Sequence, residues 1–65
     1  MRKVVKVDEL VGHHEIATRV GVRENTIAQW RIRHADFPAP VADLKMGPVW
    51  SWPDIEEWMK RTGRL

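Results

Sequence analysis

The chain has no cysteine, so no disulfide can staple it and no thiolate can hold a metal. It has a single serine, Ser51, which leaves nothing from which to build a nucleophilic triad. It also lacks a Gly-rich phosphate loop. No run is apolar enough to span a bilayer, and the N-terminus lacks the apolar stretch of a signal peptide. Internal repeats and low-complexity stretches are absent as well. These absences point away from an enzyme, a membrane protein and a secreted disulfide scaffold, and toward an intracellular protein that needs no cofactor and no small-molecule ligand.

What remains is a chain of 65 residues, enough for one domain. A chain so short buries only about 60% of its unfolded surface, so its stability is expected to be marginal. Four tryptophans, Trp30, Trp50, Trp52 and Trp58, are the available compensation. Each can bury roughly 150–250 Å². The formal net charge is only +2, a weak pointer to any partner. Its distribution says more. Arg19, Arg23, Arg31 and Arg33 crowd one stretch against a single acid, Glu24, while Asp54, Glu56 and Glu57 gather where a last helix would start. Acids suit that end of a helix dipole.

Periodicity predicts a mainly α fold with a small β-hairpin. Arg2 to Val7 reads as an extended arm or short strand, and Asp8 to Gly12 as a lead-in turn. The first helix is expected from His13 or His14 to Val20, with Ile16, Ala17 and Val20 on its buried face. Gly21 falls where a helix stop needs positive φ, and Val22 is the apolar plug that follows. The second helix is expected from near Glu24 to near His34, with Ile27 and Trp30 facing inward. Two short helices joined this tightly form a helix-turn-helix. Asp36-Phe37-Pro38-Ala39-Pro40 cannot be helical. Val41–Leu44 and Val49–Trp52 read as strands joined by Lys45-Met46-Gly47-Pro48. Such a hairpin beside a helix-turn-helix is a wing, here carrying Lys45 at its tip. A last helix starts at Trp52 or Pro53. Ser51 and Asp54 resemble a capping box there, Ile55, Trp58 and Met59 face inward, and Gly63 is the stop.

The functional candidates lie on the second helix. At about 100° per residue, Asn25, Gln29 and Ile32 point away from Ile27 and Trp30. Asn and Gln are the side chains that pair bidentately with adenine in the major groove. Ala28 between them is small enough for close approach. Arg23, Arg31 and Arg33 can neutralise phosphate, although Arg31 sits nearer the buried side and can instead lie across Trp30. Lys45 is either a wing contact to phosphate or a solvated turn residue. His13-His14-Glu15 lacks the second His four residues on that a helical zinc site requires, since Thr18 follows His14 at that spacing. It reads as helix-start polarity and not as a metal site. Trp50 and Trp52 alternate onto one strand face, where they either stack on single-stranded bases or, as the better reading, fill the core.

In order and spacing, Leu10-Val11-Gly12, Glu15-Ile16-Ala17, Gly21-Val22, Thr26-Ile27, Trp30, Asp36 to Val41, Gly47-Pro48-Val49-Trp50 and Asp54 to Trp58 resemble the small winged helix-turn-helix proteins of the excisionase and MerR-like group. That group includes short actinobacterial and phage DNA-binding proteins. The resemblance implies that the second helix enters the major groove of double-stranded DNA and that the wing touches phosphate or the minor groove. Carried over to this chain, it implicates Arg23, Asn25, Thr26, Gln29 and Arg33 on the helix and Lys45 on the wing. One departure stands out: where the group commonly places Ser as the N-cap of the second helix, this chain has Arg23, which supplies no acceptor. Full MerR-type regulators continue into a dimerisation helix and effector domain that this sequence lacks. The resemblance therefore favours an excisionase, working in the bacterial cytoplasm with an integrase and with adjacent copies of itself to bend attachment-site DNA. A small phage or actinobacterial repressor or activator is the alternative. A winged helix that binds protein is a third reading, disfavoured by the basic stretch.

Overall fold

The computed structural model describes residues 6–65. After a 3-10 turn at Val7–Glu9, the chain forms β1 (Leu10–Val11), α1 (His13–Val20), α2 (Glu24–Arg33), β2 (Ala42–Leu44), β3 (Gly47–Ser51) and α3 (Trp52–Arg61). Three helices thus pack with a three-stranded antiparallel sheet ordered β1-β3-β2, a mixed α/β arrangement. The arm expected over Arg2 to Val7 lies outside the described residues except at its end, where Val7 opens the 3-10 turn. No described helix is long and apolar enough to cross a membrane.

The sheet is one strand larger than the sequence pattern predicts. Leu10 pairs with Ser51 and Val11 with Trp50, so the lead-in turn holds at Asp8 and Glu9 but gives way to an edge strand at Leu10 and Val11. Two residues carry no alternation to read. The pairing follows from Val11 itself, which is 1% exposed and belongs to the core. On the other side of β3, Ala42 faces Val49, Asp43 faces Pro48 and Leu44 faces Gly47. The turn is therefore Lys45-Met46, shorter than expected, and the positive φ that reverses the chain (+118°) belongs to Gly47. Pro48 lies beyond the reach of β1, so its missing N–H costs that pairing nothing.

The helix boundaries follow local chemistry. Gly12 precedes α1, and its N–H donates to Glu15 Oε1 at 2.9 Å. This is one half of a capping box; a glycine has no side chain to complete the other. That bond, together with Glu15's own amide, holds the Glu15 carboxyl below the usual carboxylate range. Helix α1 stops at Gly21 (φ +81°), where the amides of Gly21 and Val22 both bond to Ala17 O, at 2.8 and 3.0 Å. Val22 is thereby turned onto the core, as its plug role requires. At α3 the expected Ser51 cap does not form: Ser51 is buried at the end of β3 and makes no side-chain capping bond. Pro53, in the first turn, needs no N–H partner there. The helix ends in a Schellman turn, with Gly63 N–H bonded to Lys60 O at 3.2 Å and Arg64 N–H to Met59 O at 2.8 Å.

The core joins Val11, Ile16, Ala17, Ile27, Phe37, Trp50, Ile55, Trp58 and Met59, so every described element except the 3-10 turn and β2 contributes to it. Aromatic rings form its spine. Phe37 meets Trp58 edge-on at 4.9 Å and Trp50 at 5.9 Å, and Trp30 tilts against Trp58 at 5.9 Å. Pairs at these separations are worth about 0.5–1.5 kcal/mol beyond their area. The proline-rich segment between α2 and β2 is a clamp: Phe37 plugs the core and Pro38 O accepts the Trp50 indole N–H at 2.8 Å. Trp52 does not share a strand face with Trp50, because it is the first residue of α3.

Candidate nucleic-acid interface

Helix α2 separates two faces cleanly. Ile27 is fully buried and Trp30 is half-buried against the core. On the other side Arg23, Asn25, Gln29 and Arg33 are exposed, and Ile32 is 83% exposed. Thr26 and Ala28 are half-buried on the flanks. Asn25 and Gln29 stand one turn apart with no side-chain partner among the described residues. A ridge of amide side chains directed at solvent, on a helix anchored from behind by a buried isoleucine, is a hydrogen-bonding surface.

The basic stretch divides in two. Arg19 lies over the Trp52 ring at 4.9 Å, and Arg31 over the Trp50 ring at 5.4 Å. Arg31 therefore crosses Trp50 and not Trp30, which the sequence pattern offered as its alternative. The ring beneath it belongs to β3, which periodicity within one helix cannot reveal. Trp30 is covered instead by Arg64, whose guanidinium sits 5.1 Å from that ring and 4.6 Å from Trp58. The Schellman turn at Gly63 brings Arg64 back to this place, where it also donates to His34 Nε2 at 3.1 Å. Arg23, Arg33 and Lys45 are different: no ion pair, hydrogen bond or ring contact engages their side chains among the described residues. These three cations are exposed and uncommitted.

The one acid on this stretch has a histidine partner. Glu24, at the start of α2, meets His14 Nδ1 at 3.2 Å, tying α1 to α2 at the surface. His13 stacks on Trp50 at 5.1 Å, so the two histidines turn to different neighbours. Glu24 and His14 also line a shallow groove together with Leu44 and Met46, which sets the hairpin tip beside the start of α2. Met46 is 95% exposed there, next to Lys45. On α3, Glu56 faces Lys60 at 3.9 Å, and Arg61 reaches Asp36 in the clamp segment at 3.4 Å.

Arg23 occupies the N-cap position of α2 in extended conformation and makes no side-chain capping bond. The helix nevertheless begins at Glu24, with Thr26 N–H bonded to Arg23 O at 3.0 Å. Thr26 thus contributes its amide and not its hydroxyl. A hydroxyl at position 23 should bond a first-turn amide that Arg23 leaves open. Arg23→Ser is expected to raise stability by about 1 kcal/mol, or roughly 4–8 °C in Tm for a domain of this size, read by thermal unfolding under circular dichroism. An unchanged or lower Tm would show that the helix start is already satisfied.

Sequence reasoning missed three features of this surface. Arg64 as a lid was foreshadowed by Gly63, since a glycine stop folds the next residue back over the helix end. The Arg19–Trp52 and Arg31–Trp50 contacts are tertiary and leave no local signal. The protrusion of Met46 follows from the two-residue turn, whose length depends on the register of β2 and β3. No known protein family, no curated protein and no solved structure matches this chain significantly.

Proposed function

We propose that the chain is a winged helix-turn-helix that binds double-stranded DNA in a sequence-specific way. In this reading α2 enters the major groove, a channel about 12 Å wide that admits one helix. Asn25 and Gln29 meet base edges. Arg23 and Arg33 hold the phosphates on either side, with Thr26 and Ala28 at the close approach, Arg31 available at its exposed edge and Lys45 reaching the backbone from the wing. The observation that carries the reading is the uncommitted ridge of Asn25 and Gln29 flanked by uncommitted cations, directly opposite the buried Ile27. The hairpin tip beside the start of α2 supports the wing assignment.

The test is a binding titration on a duplex selected from a random pool. Gln29→Ala should weaken binding to that duplex by roughly 5- to 150-fold, the range of one good bidentate base contact, while binding to an unrelated duplex stays nearly constant. Equal losses on both would remove base readout from Gln29. Within this reading, the resemblance to excisionases makes attachment-site DNA the first target, with an integrase and adjacent copies of the chain as partners in the bacterial cytoplasm. A gel shift on attachment-site DNA with and without integrase decides that narrower role. A supershift supports it, and a preference for a promoter fragment favours a repressor or activator instead.

A further inference from the structure

Ile32 is the one large hydrophobic that an α-helix leaves exposed among the described residues, at 83%. It stands on the ridge of Asn25 and Gln29, at the i, i+4, i+7 spacing that keeps three side chains on one helix face. Asn25 and Ile32 are separated by about 10 Å along the axis, two helical turns. We propose that Ile32 is a specificity-determining residue that reads the C5-methyl group of a thymine, so that α2 recognises an A·T-containing element by adenine at Asn25 or Gln29 and by thymine at Ile32. The inference rests on the duplex-DNA reading of α2 and adds to it the base class and the atom contacted.

The chemistry is specific. In the major groove thymine alone among the four bases offers a methyl group, and an apolar side chain is its usual partner. A β-branched residue in a helix has essentially one χ1 rotamer, so its two methyl-bearing branches are already placed before binding. The surroundings favour DNA over a second copy of the chain as the occupant. Ile32 lies between Arg31 and Arg33, both exposed, and Gln29 is its neighbour one turn back. Two such faces brought together would oppose like charges, whereas a duplex offers phosphates to the arginines and a methyl group to the isoleucine.

The experiment uses the full chain and a duplex selected from a random pool, with each thymine replaced in turn by deoxyuridine, which deletes only the methyl group. One position is expected to lose about fourfold in affinity for the parent protein, the worth of one buried methyl-sized group. Ile32→Ala should bind the all-thymine duplex correspondingly less well and show no further loss with deoxyuridine at that position. Because Ile32 is exposed, its thermal unfolding should match the parent. Equal affinity for every deoxyuridine duplex would overturn the proposal, as would sensitivity that survives in Ile32→Ala. A change in the sedimentation of free Ile32→Ala would assign the residue to self-association instead. Failure of the parent to bind any duplex would overturn the DNA reading itself, an outcome separate from binding that ignores the methyl group.

Discussion

Trp58→Ala is expected to leave the protein largely unfolded at temperatures where the parent is folded. Trp58 is 1% exposed and sits where α2, the Phe37 clamp and the C-terminal turn converge. Phe37 meets its ring at 4.9 Å, His34 at 5.6 Å and Trp30 at 5.9 Å, and Arg64 closes the open side at 4.6 Å. Deleting a buried Trp side chain typically costs about 3–5 kcal/mol through lost transfer energy and the cavity left behind. A domain of this length holds roughly 3–10 kcal/mol in total. The loss is therefore about a third of the stability or more, and Tm should fall by roughly 12–40 °C. Trp58→Phe should be milder, because it keeps an aromatic ring and deletes an indole N–H that has no hydrogen-bond partner among the described residues. Trp52→Ala should also be milder, since Trp52 is half-exposed beneath Arg19. Thermal unfolding of the three variants checks the order. Equal losses in all three would mean that the aromatic spine is not where the stability resides.

The second large effect is on salt dependence. Arg23, Arg33 and Lys45 are the cations proposed to neutralise phosphate. Each such contact adds about 0.9 to the slope of log affinity against log salt. Converting all three to alanine should make that slope shallower by about 2.7. The parent should then lose roughly 40-fold more affinity than the triple variant when salt rises fourfold. Arg19→Ala is the internal control, because Arg19 lies over Trp52 on α3 and should leave the slope in place. A triple variant with the parent's slope would detach these side chains from the phosphates.

The parts of this molecule that were legible in the sequence are those set by local chemistry. Helix α1 is bounded by Gly12 and by Gly21, whose positive φ ends it, and the 3.6-residue spacing of Ile16, Ala17 and Val20 fixes its inner face. The same logic places α2 and the opposition of Ile27 to Asn25 and Gln29. What escaped was decided across the chain. Strand β1 has two residues and exists because Val11 pairs with Trp50. Ser51 looked like a cap, but burial at the end of β3 takes it out of that role. Phe37 and Pro38 looked like punctuation between elements, yet one fills the core and the other satisfies the Trp50 indole. Of the arginines counted together as one basic face, Arg19 and Arg31 are held over tryptophans on other elements. Charge counted along a sequence does not tell which guanidinium groups already rest on a ring, because aromatic neighbours from other elements are invisible to it.

A backbone-amide NMR titration with a selected duplex maps which face of the protein meets DNA. The outer face of α2 and the hairpin tip should move: the largest shift changes are predicted at Arg23, Asn25, Gln29, Ile32 and Arg33, with a second group at Lys45 and Met46. The outer side of α3, at Glu57 and Lys60, should stay where it is. Changes centred on α3, with the α2 ridge unmoved, would rule out α2 as the DNA-contacting helix.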